Sequence, residues 1–368
     1  MHDAGSDFTS AAPVSPAAYE PAFAEPRDAA PRPLSFSFTG TGSEYFRIWI
    51  VNVLLSIATL GIYSAWAKVR TLQYFYRNTR LDGASFDYHG KPSAILKGRI
   101  IVIALAIVYQ LASYRFPVLS LLLVVAVMAV FPLLLVRSLR FRMYNSSYRG
   151  LRFGFVGSDA EAYKVFVLWP LAAMLTLGVL SPLAHQRFKR YQHNNARFGT
   201  ARFAFTAGPR DFYRVYLRAF AMVAIVLVPV VALLVATVAA NPSGGVDTAL
   251  SVGLAIAVFY LAILAVRPYL MARLQNVVWS HTTLAPHAFR SEVEVGRMIF
   301  ISATNLLAIV MTLGLYLPFA QVRSARYQLE RVTLLAAGPL DSFVGGETQQ
   351  VGALGDAAVD WADIDIAL

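Results

Sequence analysis

Arginine is the side chain best suited to grip an anion, because its planar guanidinium offers paired donors to a phosphate or carboxylate. Three arginines recur here in one fixed setting: Thr59, Gly61, Ala67, Arg70, Tyr74; then Thr176, Gly178, Ala184, Arg187, Tyr191; then Thr312, Gly314, Ala320, Arg323, Tyr327. In each copy Ala, Arg and Tyr follow at spacings of three and four, so they share one helix face. Two chemistries fit. If the three faces converge, the guanidinium groups form a pseudo-symmetric site for an anionic headgroup or substrate. If they stay apart, Ala permits close helix packing, Arg offsets a helix C-terminus or meets lipid phosphate, and Tyr marks the interface.

Other chemistry finds little support. The six histidines include His185 and His193, which lie among Arg and Lys where a metal ion would be repelled, and no HExxH pattern occurs. With no cysteine, disulfides, thiolate metal sites and Cys nucleophiles are excluded. No phosphate-cradling glycine loop, GxSxG elbow or paired carboxylate is present. The expectation is a protein without enzymatic activity or cofactor. Asn52 and Asn305 each lie seven residues before the Thr of their copy. With Thr59, Thr176 and Thr312 they form a candidate polar path, or they hydrogen-bond helix to helix.

The elements that must position these residues are apolar. The chain is 57% hydrophobic and 14% charged, with a mean hydropathy of +0.54. Seven runs lack any Asp, Glu, Lys or Arg: 48–67, 100–114, 116–136, 165–186, 219–246, 248–266 and 298–322. A membrane crossing needs about 20 such residues. The runs are apolar on every side, unlike the striped helices of a soluble core. The predicted fold is an all-α integral membrane protein of about seven apolar segments. Two helical hairpins, about 97–137 and 215–270, alternate with three repeat units, about 34–100, 151–215 and 287–335. Turn residues followed by alternating aromatics at 81–90, 148–155 and 198–205 predict short β-hairpins at the membrane surface.

Charge bears on topology. Of the 32 Lys and Arg, only Arg115 lies in a hairpin connection. By the positive-inside rule the basic flanks share the cytoplasmic side. The repeat segments then enter and return on that side, broken at Thr-Leu-Gly, where Gly suits a helix C-cap and Ser181-Pro182 or Leu317-Pro318 restarts a helix. Crossing by all seven segments is the other topology. Residues 1–33, rich in Ala and Pro and without the basic and apolar regions of a signal peptide, and 336–368, with Asp341, Glu347 and Asp356, are expected to be disordered tails around a membrane domain at 34–335.

Three stretches carry a resemblance: Glu44 to Asn52, the run from Thr59 through Tyr63-Ser64-Ala65-Trp66-Ala67 to Arg70, and Tyr74 to Gly90 with Asn78-Thr79-Arg80-Leu81-Asp82-Gly83. They closely resemble the YjgN-like family of bacterial inner-membrane proteins, over roughly 34–335. The resemblance implies a multi-pass protein of the bacterial inner membrane, in a family without an assigned activity, and supplies no catalytic residues. Two functions stay open. One is a transporter- or conduit-like protein. The other is a non-transporting envelope protein that binds anionic lipid headgroups or acts as a membrane scaffold. The expected partners are membrane lipids, mainly anionic; nucleic acid is not expected, because the basic residues hug the membrane ends.

Overall fold

The computed structural model describes residues 30–241, 244–338 and 340. The expectations for the tails at 1–29 and 341–368 fall outside these described residues.

The chain opens with strand β1 (Arg32–Ser35) and then repeats one construction: strand, helix, helix, strand. The first unit is β2 (Ser37–Phe38), α1 (Gly42–Ala58), α2 (Ser64–Asn78) and β3 (Thr79–Leu81). The second is β4 (Ala84–Tyr88), α3 (Pro92–Arg115), α4 (Pro117–Tyr144) and β5 (Ser146–Tyr148). In the third, β6 (Leu151–Phe155) leads into α5 (Asp159–Tyr163), a π-helical turn (Lys164–Leu168) and α6 (Trp169–Leu175). It returns through α7 (Ser181–Asn194) to β7 (Ala196–Phe198). The fourth is β8 (Ala201–Phe205), α8 (Pro209–Ala240), α9 (Val246–Ser280) and β9 (Thr282–Leu284). The fifth is β10 (His287–Ser291), α10 (Val295–Met311), α11 (Leu317–Glu330) and β11 (Val332–Ala336).

All eleven strands join one antiparallel sheet, in the order β1-β11-β10-β9-β8-β7-β6-β5-β4-β3-β2. The two ends of that order are consecutive in the chain. Only Phe36 separates β1 from β2, and its N–H donates to Val332 O at 3.2 Å. The sheet is therefore a nearly closed ring, which removes the exposed edges that invite aggregation. This corrects the expected all-α architecture of about seven segments. Among the described residues, four helices (α3, α4, α8 and α9) are long and apolar enough to cross a membrane. Each repeat segment instead splits at its Thr-Leu-Gly into two shorter helices. The strands have two to five residues, too short to stand out beside the apolar runs. Pairing of β1 with β11 also carries the ordered unit past the expected bounds of 34–335, to Arg32 at one end and Ala336 at the other. Leu340, beyond β11, packs into the same core.

Alternation along the strands places one aromatic near the middle of four of them: Phe86, Phe153, Phe203 and Phe289. These rings mark the concave face. β4 and β6 are separated by β5, so their backbones stand about 9.6 Å apart. The rings of Phe86 and Phe153 nevertheless approach to 6.3 Å. Phe203 and Phe289 do the same across β9, at 6.2 Å, and Phe36 reaches Phe86 at 6.1 Å. The hydrophobic core is thus gathered inside the ring, with Tyr148, Phe155, Phe198 and Leu334, and α4 adds Leu135, Leu139 and Met143.

Local chemistry explains the hairpins. Asp82-Gly83 and Arg149-Gly150 both have positive φ at each residue (47° and 77° in both turns), the geometry whose twist matches antiparallel strands. Just before the first strand of each hairpin, a polar side chain meets the carbonyl four residues back. Asn78, Asn145 and Asn195 donate to Tyr74, Phe141 and Tyr191 at 2.8–2.9 Å, and His281 Nδ1 meets Val277 O at 2.8 Å. The helical layer closes as well, because α11 packs on α1. Phe46 and Phe319 lie 5.6 Å apart, and Arg326 donates to Gly40 O at 2.7 Å.

One contact between β10 and the end of β11 depends on protonation. Ala337 N–H donates to Nδ1 of buried His287 at 3.2 Å, which requires a neutral imidazole. Burial holds the His287 pKa below its usual value. The unfolded chain takes up a proton near pH 6.5 while the folded chain resists it, so stability falls as pH drops through that region. Thermal unfolding in detergent should show a smaller loss between neutral and mildly acidic pH for His287→Asn than for the parent; equal losses would rule this contact out as a source of acid sensitivity.

Candidate functional site

The repeated residues gather at the tips and bases of the three short helix pairs, α1/α2, α5–α6/α7 and α10/α11. At each tip the first helix ends in the same way. Thr59, Thr176 and Thr312 are the C-cap residues. Leu60, Leu177 and Leu313 follow in the left-handed region, with φ of 50°, 49° and 51°. Gly61, Gly178 and Gly314 come next at 89°, 89° and 93°. The leucine N–H returns to the carbonyl of Ile57, Met174 or Val310, and the glycine N–H to that of Ser56, Ala173 or Ile309. These are the two bonds of a Schellman C-cap. Gly was expected to take the left-handed capping position. Leucine holds it, and glycine serves the residue after.

The threonine hydroxyl completes the turn. It donates to the carbonyl four residues back, Leu55 at 2.7 Å, Ala172 at 2.9 Å and Ala308 at 2.7 Å. It accepts from the N–H four residues ahead, Tyr63 at 2.9 Å, Leu180 at 3.2 Å and Tyr316 at 2.9 Å. In consequence every backbone N–H over 59–64, 176–181 and 312–317 has a partner inside its own turn. That is the condition for irregular backbone to survive in hydrocarbon.

The tip leucines are 96%, 96% and 95% exposed. A left-handed leucine costs about 1–2 kcal/mol relative to glycine, and these side chains gain nothing from packing within the chain. The sequence shows them in each Thr-Leu-Gly but gives them no role of their own. An apolar residue in an apolar run carries no chemical signal, so its identity in all three copies marks the repeat without explaining it.

At the base of each pair the tyrosine clamps the start of the first helix. Tyr74 donates to Thr41 O at 2.7 Å, Tyr191 donates to Ser158 O at 3.1 Å, and Tyr327 accepts from Glu294 N at 3.1 Å. Thr41, Ser158 and Glu294 are the N-cap residues of α1, α5 and α10. Burial, then the neighbouring charge of Glu44, pushes the Tyr74 phenol up to about 12, so it remains a donor at any physiological pH. Between tip and base, Asn52 donates to Ala67 O at 3.5 Å. Asn305 donates to Ala320 O at 3.3 Å and to Ser324 Oγ at 3.1 Å. Both asparagines are buried, and their amides tie helix to helix.

Each arginine turns to its own helix pair. Arg70 donates to Tyr63 Oη at 2.8 Å. Arg323 donates to Thr304 Oγ1 at 2.7 Å and Asn305 Oδ1 at 3.1 Å. Arg187 lies over the ring of Trp169 at 5.5 Å, and Trp169 holds the position that Asn52 and Asn305 hold in the other copies. Among the described residues, no group of three or more His, Asp or Glu is placed to hold a metal ion.

A family model described as bacterial protein of unknown function (DUF898) matches residues 33–361. The chain is similar to the inner membrane protein YjgN of Salmonella typhimurium (strain LT2), at 26% identity over 353 residues, covering 83% of this chain and 89% of that protein. It is also similar to the inner membrane protein YjgN of Escherichia coli O157:H7, at 30% identity over 152 residues, 40% of this chain and 37% of that one. No solved structure matches it.

The hydroxyl is the part of the turn most open to test. Replacing Thr59, Thr176 or Thr312 by Val keeps the shape and leaves one N–H without an acceptor, a loss of about 1–3 kcal/mol. Thr→Ser keeps the bond. Thermal unfolding in detergent should rank parent and Ser variants together above Val variants; Val variants as stable as the parent would refute the hydroxyl's role.

Proposed function

Because the chain belongs to the DUF898 family of bacterial proteins of unknown function, and to the inner membrane where its relatives are named, we propose that it is a non-transporting, lipid-engaging scaffold of that membrane. In this reading α3/α4 and α8/α9 cross the bilayer, the β ring lies at the cytoplasmic surface, and the three short helix pairs are internal repeats that enter the cytoplasmic leaflet and return. Every helix pair leaves the sheet and comes back to it, which supports a common side for all ten helix bases.

Length supports the division. α3, α4, α8 and α9 have 24, 28, 32 and 35 residues, so the shortest is about 36 Å long against a hydrocarbon thickness of about 30 Å. α1 and α10 have 17 residues each. The repeated arginine follows the tip glycine by nine residues, about 13 Å of helix, or less than half the hydrocarbon. The tips agree in chemistry. The turns of the long pairs are flanked by Arg115 in one and by Asn241 and Asp247 in the other, polar residues that suit water, whereas the short pairs turn at saturated backbone capped by leucine.

The observation that carries the scaffold reading over a conduit is the use of the polar residues. The side chains of Asn305 and all three threonines, and the amide N–H of Asn52, make helix–helix or turn bonds. A conduit would need those groups free to meet a solute. Five helix pairs then enter the cytoplasmic leaflet and two of them reach the outer one, so the protein occupies the two leaflets unequally.

The absence of cysteine makes labelling direct. With a membrane-impermeant maleimide, Asn241→Cys should react in intact spheroplasts and Thr200→Cys only in inverted vesicles. Vesicles reconstituted with the protein should be as tight to ions and small sugars as protein-free ones. Both cysteines reacting from one side would refute the topology, and a protein-dependent leak abolished by Asn305→Leu would restore the conduit.

A further inference from the structure

The middle helix pair departs from the other two, and its departures coincide. We infer that the face of α6/α7 is a phospholipid site, with the phosphate held by Arg187 and an acyl chain lying in the groove above it. The inference rests on the lipid-engaging reading of the protein.

Three observations meet at this face. First, a groove of about 550 Å³ lies between the helices, lined by Pro170, Ala173, Met174, Leu177, Ser181 and Ala184. It runs from the tip toward the base, and its lining is mainly apolar with Ser181 as the polar side chain, which suits an acyl chain. Second, the tie that holds the outer pairs together is missing. Asn52 and Asn305 reach the carbonyls of Ala67 and Ala320, but Trp169 replaces the asparagine opposite Ala184. The π-helical turn at Lys164–Leu168 immediately precedes it, with Trp169 N–H bonded to Lys164 O five residues back. Such turns widen a helix and cluster at functional sites. Neither α1 nor α10 contains one.

Third, Arg187 differs from its counterparts. Arg70 and Arg323 give their terminal nitrogens to protein acceptors. Arg187 makes no hydrogen bond among the described residues, and its Nε is buried without an acceptor. Its guanidinium carbon lies 5.5 Å from the centroid of the Trp169 indole, a cation–π contact that uses none of its N–H donors. It follows Ala184, at the lower end of the groove, by three residues, one helical turn. A basic side chain at interfacial depth beside an apolar channel matches a lipid that has both a phosphate and a chain. A free phosphate would use only half of the site, so the occupant is an anionic phospholipid.

Trp169 supplies the reporter. The full chain would be reconstituted in phosphatidylcholine containing a small fraction of phosphatidylglycerol, with one lipid or the other brominated, and tryptophan quenching recorded. The parent should favour the anionic lipid about five-fold, the factor that one basic residue near an anionic surface contributes. Trp169→Phe should remove the excess quenching. Arg187→Gln should bring the two lipids to parity, Arg187→Lys should retain part of the preference, and Arg70→Gln should retain all of it. A preference unchanged in Arg187→Gln, or lost equally in Arg70→Gln, would overturn the site. Should Leu177 prove to lie in water on the far side while the Arg187-dependent excess persists, the half-depth reading fails and the lipid site stands.

Discussion

Backbone donors that leave a helix inside hydrocarbon find no water, and each must be satisfied by the chain itself. The three turns at Thr59–Gly61, Thr176–Gly178 and Thr312–Gly314 meet that demand with two Schellman bonds and one hydroxyl that both donates and accepts. In the proposed topology the rest of the architecture follows from having such a turn. A short apolar segment can double back without reaching the far side. A chain with a strongly one-sided charge distribution can then keep its basic ends together. Serine could supply the same hydroxyl. Threonine adds a methyl, which suits a turn whose other side chains are Leu and Ile, Val or Leu.

Closure of the sheet is the second constraint. Hairpins of three and five residues are individually marginal in water. Linked around a nearly closed ring they leave no long edge, and their inward aromatics form a common core. Each helix pair is thereby fixed at both feet to neighbouring strands. The tyrosines at the bases of the short pairs add a further clamp, binding the end of the returning helix to the N-cap of the entering one. A threonine at the tip and a tyrosine at the base of each pair account for most of the repeated frame in structural terms. The arginine is the member of the frame whose surroundings differ in all three copies.

What could be read in the chain depended on whether a structural role required a particular side chain. Thr, Gly, Ala, Arg and Tyr recur because hydroxyl, positive φ, close approach, charge and phenol are each used, so the three short pairs were visible. Leu60, Leu177 and Leu313 were visible as part of the frame, but their left-handed capping role was hidden by their apolar surroundings. Three hairpins were visible from their turn residues and alternating aromatics. The fourth, β9–β10, was not, because Ala285-Pro286 takes the place of Asp82-Gly83 and His281 the place of Asn78. Ring closure was invisible for a different reason: it depends on β1 and β2 facing opposite neighbours across a single residue, Phe36, which no local pattern encodes. Likewise Trp169 reads as one more aromatic in a membrane segment until its place opposite Ala184 is known.

The depth of the tip leucines decides between turning back and crossing. A nitroxide at Leu60→Cys, Leu177→Cys or Leu313→Cys in reconstituted vesicles can be saturated in the presence of oxygen, which concentrates in hydrocarbon, or of a neutral nickel chelate, which stays in water. All three labels should show high oxygen and low nickel accessibility, placing the tips near the bilayer mid-plane. Strong nickel broadening at these positions would put the tips in water, and the saturated turns would then need another explanation.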